Sequence, residues 1–403
     1  MRQRVLSGMR PTGSMHLGHY HGALKNWVRL QDQYECFYFV ADWHALTTHY
    51  DESEIIGKSV YDMVIDWLAA GLDPDKSTIF VQSRLPEHAE LFTLLAMGTP
   101  LGWLERVPTY KDQIEKLKDR DLATYGFLGY PLLQAADILN YKAAFVPVGE
   151  DQASHVELTR EVARRFNHLY GRPADLQAKV AAALARLSKD DQRYFERQRK
   201  AYGQTGAADA LAKGEAVIQR TAAAPPAGWS TDDAELLKGH LRGSGKTILV
   251  EPAALHTEVL RLPGTDGAKM SKSYGNAILM RDTPEEVTRK VRRMATDPAR
   301  VRRTDPGNPE KCPVWDFHKV YSNEATRQWV WHGCTTASIS CLECKQPVID
   351  AIIEAQQPWR ERAAPLLADP RKVHRILEVG TERARTVAQA TMADVRGAMG
   401  LAY

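Results

Sequence analysis

Two short motifs in a fixed order constrain this chain more than any other feature: residues 16–19 read HLGH, and residues 269–273 read KMSKS about 250 positions later. Each motif alone is weak evidence, because short basic loops and neighbouring histidines are common. Together they suit one task, the handling of a triphosphate. Two lysines on a Gly-flanked loop supply positive charge, and two imidazoles on the first turn of a helix add donors beside a helix end that favours anions.

The residues around the HLGH motif predict the first crossover of a doubly wound parallel sheet. Residues 4–8 read as a short strand, residues 8–13 as a loop, and helical spacing of apolar residues begins at His16. A strand, a Gly-bearing turn and a helix that opens with ligand groups are typical of nucleotide-binding α/β folds. The spacing is not that of a dinucleotide fingerprint or a P-loop, which argues against a dehydrogenase or an ordinary ATPase.

The alternation of patterns along the chain predicts an α/β catalytic domain built from parallel βαβ units. Strand-like runs alternate with helical patterns up to about residue 170, and the strands are expected at residues 36–41, 78–82 and 144–148. We predict a Rossmann-like domain in two parts, a helical insertion with breaks at Gly203, Gly214 and Pro225-Pro226, and a helical C-terminal domain. The predicted boundaries are 1–171 and 246–282 for the catalytic domain, 172–245 for the insertion and 283–403 for the C-terminal domain, with residues 248–250 resuming the sheet.

Composition narrows the class of protein only slightly. A chain of 403 residues with 44% hydrophobic content can bury two or three cores. The net charge of +3 decides little, although seven Lys and Arg residues between 289 and 303 face the single acid Asp297. That stretch suits either a solvated helix face or a phosphate-contacting surface. The absence of a signal peptide, of a membrane-length apolar run and of an even set of cysteines predicts a soluble, cytoplasmic protein without membrane association.

A second group of polar residues predicts a small-molecule pocket. Tyr130, Gln134 and Asp137 fall at i, i+4 and i+7 on one face of an otherwise apolar helix. Such groups need either a structural partner or a ligand. Residues 146–152 (VPVGEDQ) place acidic and amide groups just past the carboxyl end of a strand, where open α/β sheets bind ligands.

With these segments, the chain resembles the class I aminoacyl-tRNA synthetases, and in particular the bacterial tryptophanyl enzymes, over its full length apart from the insertion. The resemblance implies two steps: tryptophan and ATP with Mg²⁺ give tryptophanyl-adenylate, and the tryptophanyl group then passes to the 3′ ribose of tRNA(Trp). It also implies a homodimer whose C-terminal helices read the anticodon. The insertion is expected to be peripheral to the chemistry, because long insertions between elements cost little entropy.

The resemblance assigns roles residue by residue. Catalytic roles fall on His16, His19, Lys111, Lys269 and Lys272. ATP contacts are expected at Gly8, Arg10, Gly18, His19, Gly149, Asp151, Lys269, Met270, Ser271 and Lys272. Tryptophan contacts are expected at Leu6, His44, Tyr130, Gln134, Asp137, Val148 and Gln152. In this assignment Asp137 accepts the indole N–H, Tyr130 and Gln152 hold the ammonium, and His44 lies beside the carboxylate.

Three alternatives remain open. Many tryptophanyl enzymes carry methionine where this chain has Gln134, whereas tyrosyl enzymes carry glutamine, and a phenolic hydroxyl could also donate to Asp137. Tyrosine is therefore the second candidate substrate, ranked second because residues 149–152 (GEDQ) match the tryptophanyl pattern. A small-molecule nucleotidyltransferase shares the first crossover chemistry. A paralogue that binds RNA or tryptophan without catalysis is the third alternative.

Four of the five cysteines form a separate candidate site. Cys312, Cys334, Cys341 and Cys344 lie within 33 residues, whereas Cys36 falls on a strand and is expected to be buried. Four thiolates suit zinc or a [4Fe–4S] cluster, and free cysteines grouped by chance are the alternative. Resemblance to a subset of tryptophanyl enzymes favours a structural [4Fe–4S] cluster.

Overall fold

The computed structural model describes residues 2–51, 53–108, 124–149, 153–172, 175–243, 245–256 and 261–403. Its centre is a five-stranded parallel sheet in the order β3-β2-β1-β4-β5. The strands are β1 Arg4–Met9, β2 Glu35–Val40, β3 Ser77–Val81, β4 Phe145–Val148 and β5 Ala253–His256. Because the order reverses direction next to β1, ligands are expected between the carboxyl ends of β1 and β4. The prediction of a doubly wound α/β fold is confirmed.

Helices of the catalytic part follow the strands as the alternation predicts. They are α1 Leu17–His19, α2 Lys25–Leu30, α3 Asp42–His49, α4 Ser53–Ala70, α5 Glu87–Gly98, α6 Leu101–Glu105, α7 Tyr125–Asn140 and α8 Ala153–Tyr170. A π-helical turn, Tyr20–Leu24, joins α1 to α2. Such turns are rare and occur often at functional sites. The core between α2 and β2 is aromatic, since Trp27 stacks on Tyr38 with 4.5 Å between ring centroids.

The prediction that residues 248–250 resume the sheet is wrong, and the cause is one side chain. Asn167, near the end of α8, accepts the backbone N–H of Ile248 and of Leu249 at 2.9 Å each. Its amide donates to the carbonyl of Leu249 at 2.8 Å. These bonds satisfy the backbone that a strand ladder would otherwise use, and the strand begins only at Ala253.

The insertion is helical as predicted, and its helices pack on one another around their own core. It contains α9 Leu176–Ala185, α10 Lys189–Thr205, α11 Ala208–Ala223 and α12 Thr231–Arg242. The predicted breaks at Gly203 and Gly214 are wrong, because both residues lie inside helices. The predicted break at Pro225-Pro226 is confirmed, since both prolines lie between α11 and α12. Helix α10 ends instead at Gly206, whose φ of +66° is a left-handed cap that favours glycine.

The C-terminal part is helical from Thr283 onward, as predicted. Its helices are α13 Pro284–Arg293, α14 Pro313–Tyr321, α15 Glu324–Thr335, α16 Cys341–Ala368 and α17 Pro370–Met399. Helix α17 packs on the edge strand β3, where a Cβ at Gly380 would come within 1.8 Å of the Ile79 carbonyl oxygen. The last helix thus covers a sheet edge that would otherwise be open to pairing. Within the described ranges, no helix is long and apolar enough to cross a membrane.

Candidate active site

His16 and His19 cap the first helix reciprocally. The Nδ1 atom of each ring accepts the backbone N–H of the other residue at 3.3 Å, and the rings stack with centroids 3.6 Å apart. Burial first, and then nearby positive charge, lowers the pKa of His16 to about 4, whereas burial followed by His16 and the two motif lysines lowers that of His19 to about 3. Both imidazoles are neutral at pH 7. Because each Nδ1 accepts, the ring proton lies on Nε2, so each ring can donate one hydrogen bond to a ligand.

The KMSKS loop lies against the strand-to-helix loop that precedes HLGH. Lys272 Nζ donates to the carbonyl oxygen of Thr12 at 2.7 Å. Gly13 has a φ of +101°, and a Cβ there would meet Lys272 Nζ at 2.2 Å. Lys269 is exposed, whereas Met270 is buried beside Gly18. The structure therefore brings the two motifs together across about 250 residues of sequence.

The side chain of Asn276 forms hydrogen bonds with the backbone of the KMSKS loop. Its side-chain oxygen accepts the N–H of Ser271 at 2.8 Å, and its amide donates to Asp266 Oδ1 at 2.8 Å and to the carbonyl of Lys269 at 3.1 Å. The side chain is buried. A buried amide with these three bonds fixes the backbone of the loop that carries both lysines.

An ion pair between Asp66 and Arg281 connects the segment that precedes HLGH to the segment that follows KMSKS. Asp66 accepts the N–H of Met15 at 2.7 Å and the Nε–H of Arg281 at 2.5 Å. Arg281 also bonds Asp62 at 3.1 Å. Sequence reasoning missed this group, because the partners lie on α4 and after the KMSKS loop and share no local pattern.

A cavity of about 360 Å³ opens at the carboxyl ends of β1 and β4, within the size range of small-molecule sites. Nine predicted site residues line it: Leu6, Gly8, Arg10, His44, Tyr130, Gln134, Asp137, Val148 and Gly149. The π-helical turn contributes Gly22 and Ala23 to the wall. Lys111, Asp151 and Gln152 lie outside the described residues. The HLGH and KMSKS residues are not among those that line this cavity.

Asp137 is the fully buried polar centre of the cavity wall. Gln82 Nε2 lies 2.8 Å and His88 Nδ1 2.7 Å from Oδ1, and His44 Nε2 lies 2.7 Å from Oδ2. Burial acts to raise the pKa of Asp137, but the interactions with His44 and His88 outweigh it, so the pKa stays below its ordinary value. The carboxylate is charged. His44 thus contacts the residue predicted to bind the indole, a contact that sequence did not suggest.

Gln82 and His88 were not predicted, although a signal for them exists. Gln82 opens the 3₁₀ turn that follows β3, and His88 lies in the first turn of α5. Both therefore follow the carboxyl end of strand β3, on the side of the sheet where ligand-binding residues concentrate. Tyr141, whose hydroxyl lies 2.8 Å from His88 Nε2, completes the buried group.

The four cysteines lie at or near the ends of three C-terminal helices. Cys312 caps α14, Cys334 lies near the end of α15, and Cys341 and Cys344 open α16. Burial first, and then the other three cysteines, raises the pKa of Cys344 to about 12. Among the described residues, no group of three or more His, Cys, Asp or Glu side chains is arranged to hold a metal ion. The predicted metal site is therefore not borne out as an assembled ligand set.

Comparisons with known proteins agree with the fold. Residues 1–192 and 235–357 match the family described as class I tRNA synthetases (W and Y). Two segments lie outside the match: residues 193–234, inside the insertion, and residues 358–403 at the end of the chain. A tryptophan–tRNA ligase of Ralstonia nicotianae is 61% identical over 401 residues, covering 100% of this chain and 99% of that protein. A tryptophan–tRNA ligase of Thermotoga maritima is 44% identical over 402 residues, covering 99% and 100%. The solved tryptophanyl-tRNA synthetase of Campylobacter jejuni, complexed with ADP and tryptophan, aligns with a TM-score of 0.71 and 27% identity, covering 99% of this chain and 100% of that chain.

Proposed function

The chain belongs to the class I tRNA synthetases of the tryptophan and tyrosine group, and from this membership we propose that it activates L-tryptophan with ATP and transfers it to tRNA(Trp). The observation that carries the proposal is the cavity at the switch point of the sheet, with the charged, fully buried Asp137 in its wall. The full-length relatives are tryptophan–tRNA ligases. The solved relative of Campylobacter jejuni binds ADP and tryptophan, the two kinds of ligand that this site would take together.

In the first step the substrate carboxylate attacks the α-phosphorus of MgATP, a new C(O)–O–P bond forms, and pyrophosphate leaves with the electrons of the broken P–O bond. No protein nucleophile is needed, so catalysis is positioning and stabilisation of charge. The Nε2–H groups of His16 and His19 donate to phosphate oxygens, and Lys269 and Lys272 bind the departing pyrophosphate. Because the imidazoles are neutral, they add hydrogen bonds while the lysines supply the charge. Lys111 is a further proposed triphosphate contact.

Selection of tryptophan rests on the free acceptor capacity of Asp137. A carboxylate offers about four lone-pair positions, and the described donors use two on Oδ1 and one on Oδ2. One position on Oδ2 remains for the indole N–H. A substrate without a donor there would leave this charged acceptor incompletely paired, which sites of this kind reject strongly. Tyr130 and Gln152 would hold the ammonium, and Gln134 borders the ring.

Recognition of tRNA is proposed for the C-terminal helices, with a homodimer as the working assembly. Helices α5, α6 and α7 lie side by side in the catalytic part. They leave Met97, Leu101 and Tyr125 between 58% and 77% exposed. We infer that these exposed apolar side chains contribute to the subunit interface. Because ATP and tRNA are the reactants, we also place the protein in the cytoplasm.

We further propose that Cys312, Cys334, Cys341 and Cys344 hold a structural [4Fe–4S] cluster, with a zinc ion as the alternative. The mutual influence of the thiols on each other's pKa supports their proximity, and four thiolates suit either centre. The side chains would have to turn toward a common point. Iron and acid-labile sulfide analysis of anaerobically purified parent and Cys344→Ser protein tests this: zinc alone would select the alternative, and metal-free protein with full charging activity would remove the site.

Tryptophan-dependent exchange of pyrophosphate into ATP tests the main proposal. The synthetase needs tryptophan for exchange, because the carboxylate is the nucleophile. Exchange that proceeds without an amino acid, or only with another acid, would support a small-molecule nucleotidyltransferase instead. Tryptophan binding without any exchange would support a paralogue that has lost catalysis.

A further inference from the structure

The helical insertion is a unit with its own core that is attached far from the cavity. Its chain leaves and returns at Gly171 and Lys246, which are joined by a backbone hydrogen bond of 2.8 Å. These residues follow α8, which starts beside the cavity at Ala153 and is 18 residues long. At 1.5 Å per residue, its far end lies about 27 Å from the sheet edge that binds the substrates. Only a ligand much longer than ATP or an amino acid can contact both places.

Most positive charges of the insertion are engaged in bonds within the protein. Residues 172–245 contain 12 Lys and Arg side chains. Eight of them form ion pairs or hydrogen bonds: Arg172, Lys179, Arg186, Arg199, Lys213, Arg220, Lys238 and Arg242. Among the residues that the structure describes, the other four have no acidic partner, and all four are exposed. These are Lys189, Arg193, Arg197 and Lys200, and we call them the α10 stripe.

The α10 stripe occupies one face of a single helix. Its members stand at i, i+4, i+8 and i+11, so at 100° per residue they fall within about 80° of one another along about 16 Å of helix. Arg197 lies over the ring of Tyr194 with its guanidinium carbon 5.1 Å from the ring centroid. Glu196 lies one helical turn from Arg193 and Lys200 but is paired with Arg199 and His240. Asp190 lies in the first turn, where a carboxylate favours the helix end.

The opposite face of α10 is committed to the insertion core, because Phe195 is fully buried there. This arrangement leaves no apolar face for insertion into a lipid surface, which membrane-binding basic helices require. A row of unpaired cations on a rigid helix instead suits a nucleic acid backbone, whose phosphates repeat at short intervals. The proposed reaction already requires one large polyanion, the tRNA.

We propose that the α10 stripe binds the sugar–phosphate backbone of tRNA. This inference rests on the proposed function and adds a contact surface of which Arg193, Arg197 and Lys200 lie outside the residues that match the family. Because phosphate contacts position the nucleic acid without reading its sequence, the stripe contributes affinity and salt dependence. It leaves adenylate formation unchanged, since the insertion is attached at the far end of α8.

The test compares two quadruple variants that remove the same charge from the same unit. The stripe variant carries K189Q, R193Q, R197Q and K200Q. The control variant carries K179Q, R199Q, K213Q and K238Q, which removes four cations that form short-range pairs with acids one helical turn away. For parent and variants, the Kd for unmodified tRNA(Trp) transcript is measured between 50 and 200 mM KCl, together with tryptophan-dependent pyrophosphate exchange.

The stripe variant is expected to keep parental exchange and to bind tRNA at least ~10-fold more weakly at 50 mM KCl, with the slope of log Kd against log salt reduced by about 3, as four lost phosphate contacts require. The control variant should stay near the parent. Equal tRNA binding by stripe variant and parent, or equal weakening by both variants, would overturn the inference while leaving the proposed function intact. Loss of binding to phosphatidylglycerol vesicles with tRNA binding unchanged would assign the stripe to a membrane and overturn it. No exchange in the parent would contradict the proposed function, and the inference with it.

Discussion

His88 Nδ1 lies 2.7 Å from Asp137 Oδ1, and both side chains are completely buried. The carboxylate can only accept, so Nδ1 donates, and in the neutral ring Nε2 then accepts the hydroxyl proton of Tyr141 at 2.8 Å. The tautomer of His88 is therefore fixed by its two neighbours. This chain of bonds fixes the orientation of the carboxylate in the cavity wall.

Replacing His88 should weaken tryptophan binding without abolishing chemistry. His88→Leu removes one donor to Asp137, and a hydrogen bond to a charged group contributes about 1.5–3 kcal/mol, so KM for tryptophan should rise at least ~10-fold while kcat in pyrophosphate exchange changes little. With one donor lost, the pKa of Asp137 rises, so the acid-side loss of tryptophan affinity should move to higher pH.

His88→Asn is the matched control, because its side-chain amide keeps a donor near the place of Nδ1. It should recover part of the lost affinity and return the pH profile toward that of the parent. If His88→Leu binds tryptophan like the parent at every pH, His88 serves packing alone.

The KMSKS lysines should act mainly in the transition state. Lys272→Ala or Lys269→Ala is expected to slow adenylate formation at least ~100-fold with nearly unchanged tryptophan affinity, as befits charge used on the departing pyrophosphate. Single-turnover quench kinetics and equilibrium tryptophan binding separate the two effects. Lys58→Ala, which removes an 82% exposed lysine of α4, should match the parent; comparable adenylation rates in the motif and control variants would refute the assignment.

Asp66 should matter both for stability and for rate, because it joins the HLGH and KMSKS segments. Asp66→Asn takes the charged partner from the largely covered guanidinium of Arg281, and breaking a buried pair costs about 3 kcal/mol or more. Urea unfolding should show this loss, and exchange should slow because both motifs lose a common anchor. Asp62→Asn removes a carboxylate whose side chain is 42% exposed and should cost less than about 1 kcal/mol. Similar losses in the two variants would contradict the role of Asp66.

His21 should make the protein sensitive to acid through stability alone. The ring is buried, Nε2 lies 2.8 Å from the Tyr321 hydroxyl, and burial first and Lys25 second lower its pKa to about 4. An unfolded chain has a histidine pKa of about 6.5 and so binds more protons between these values. Stability is therefore present above about pH 6.5 and falls as the pH drops toward 4, by on the order of 3 kcal/mol for this one group.

Urea unfolding at several pH values tests this prediction. His21→Gln should show a shallower loss of stability between pH 6.5 and 4 than the parent, whatever its stability at pH 7. His374→Gln, which changes a half-exposed ring, should keep the parental slope. Parallel curves for parent and His21→Gln would show that the ring titrates as it does in the unfolded chain.

The sequence predicted those elements and side-chain positions that depend on contacts between residues close together in the chain. The strands and the HLGH turn were predictable because alternation and capping are local patterns. Residues 248–250 were not, since the bonds from Asn167 arrive from 81 positions away. Likewise, Asp137 contacts Gln82, His88 and His44, which lie 49 to 93 residues away from it in the sequence. Such groups come together only through the order of the strands, so no spacing in the sequence reveals them.

The ratio of kcat/KM for tryptophan to that for tyrosine, measured by pyrophosphate exchange in parent and Asp137→Asn, tests the central claim most directly. The amide keeps the shape of the side chain but loses the charge, so the variant should lose about 1.5–3 kcal/mol of tryptophan recognition, roughly 10- to 150-fold in kcat/KM. The parent should prefer tryptophan by several orders of magnitude. A parent that prefers tyrosine, or an Asp137→Asn variant with parental tryptophan kinetics, would contradict the account.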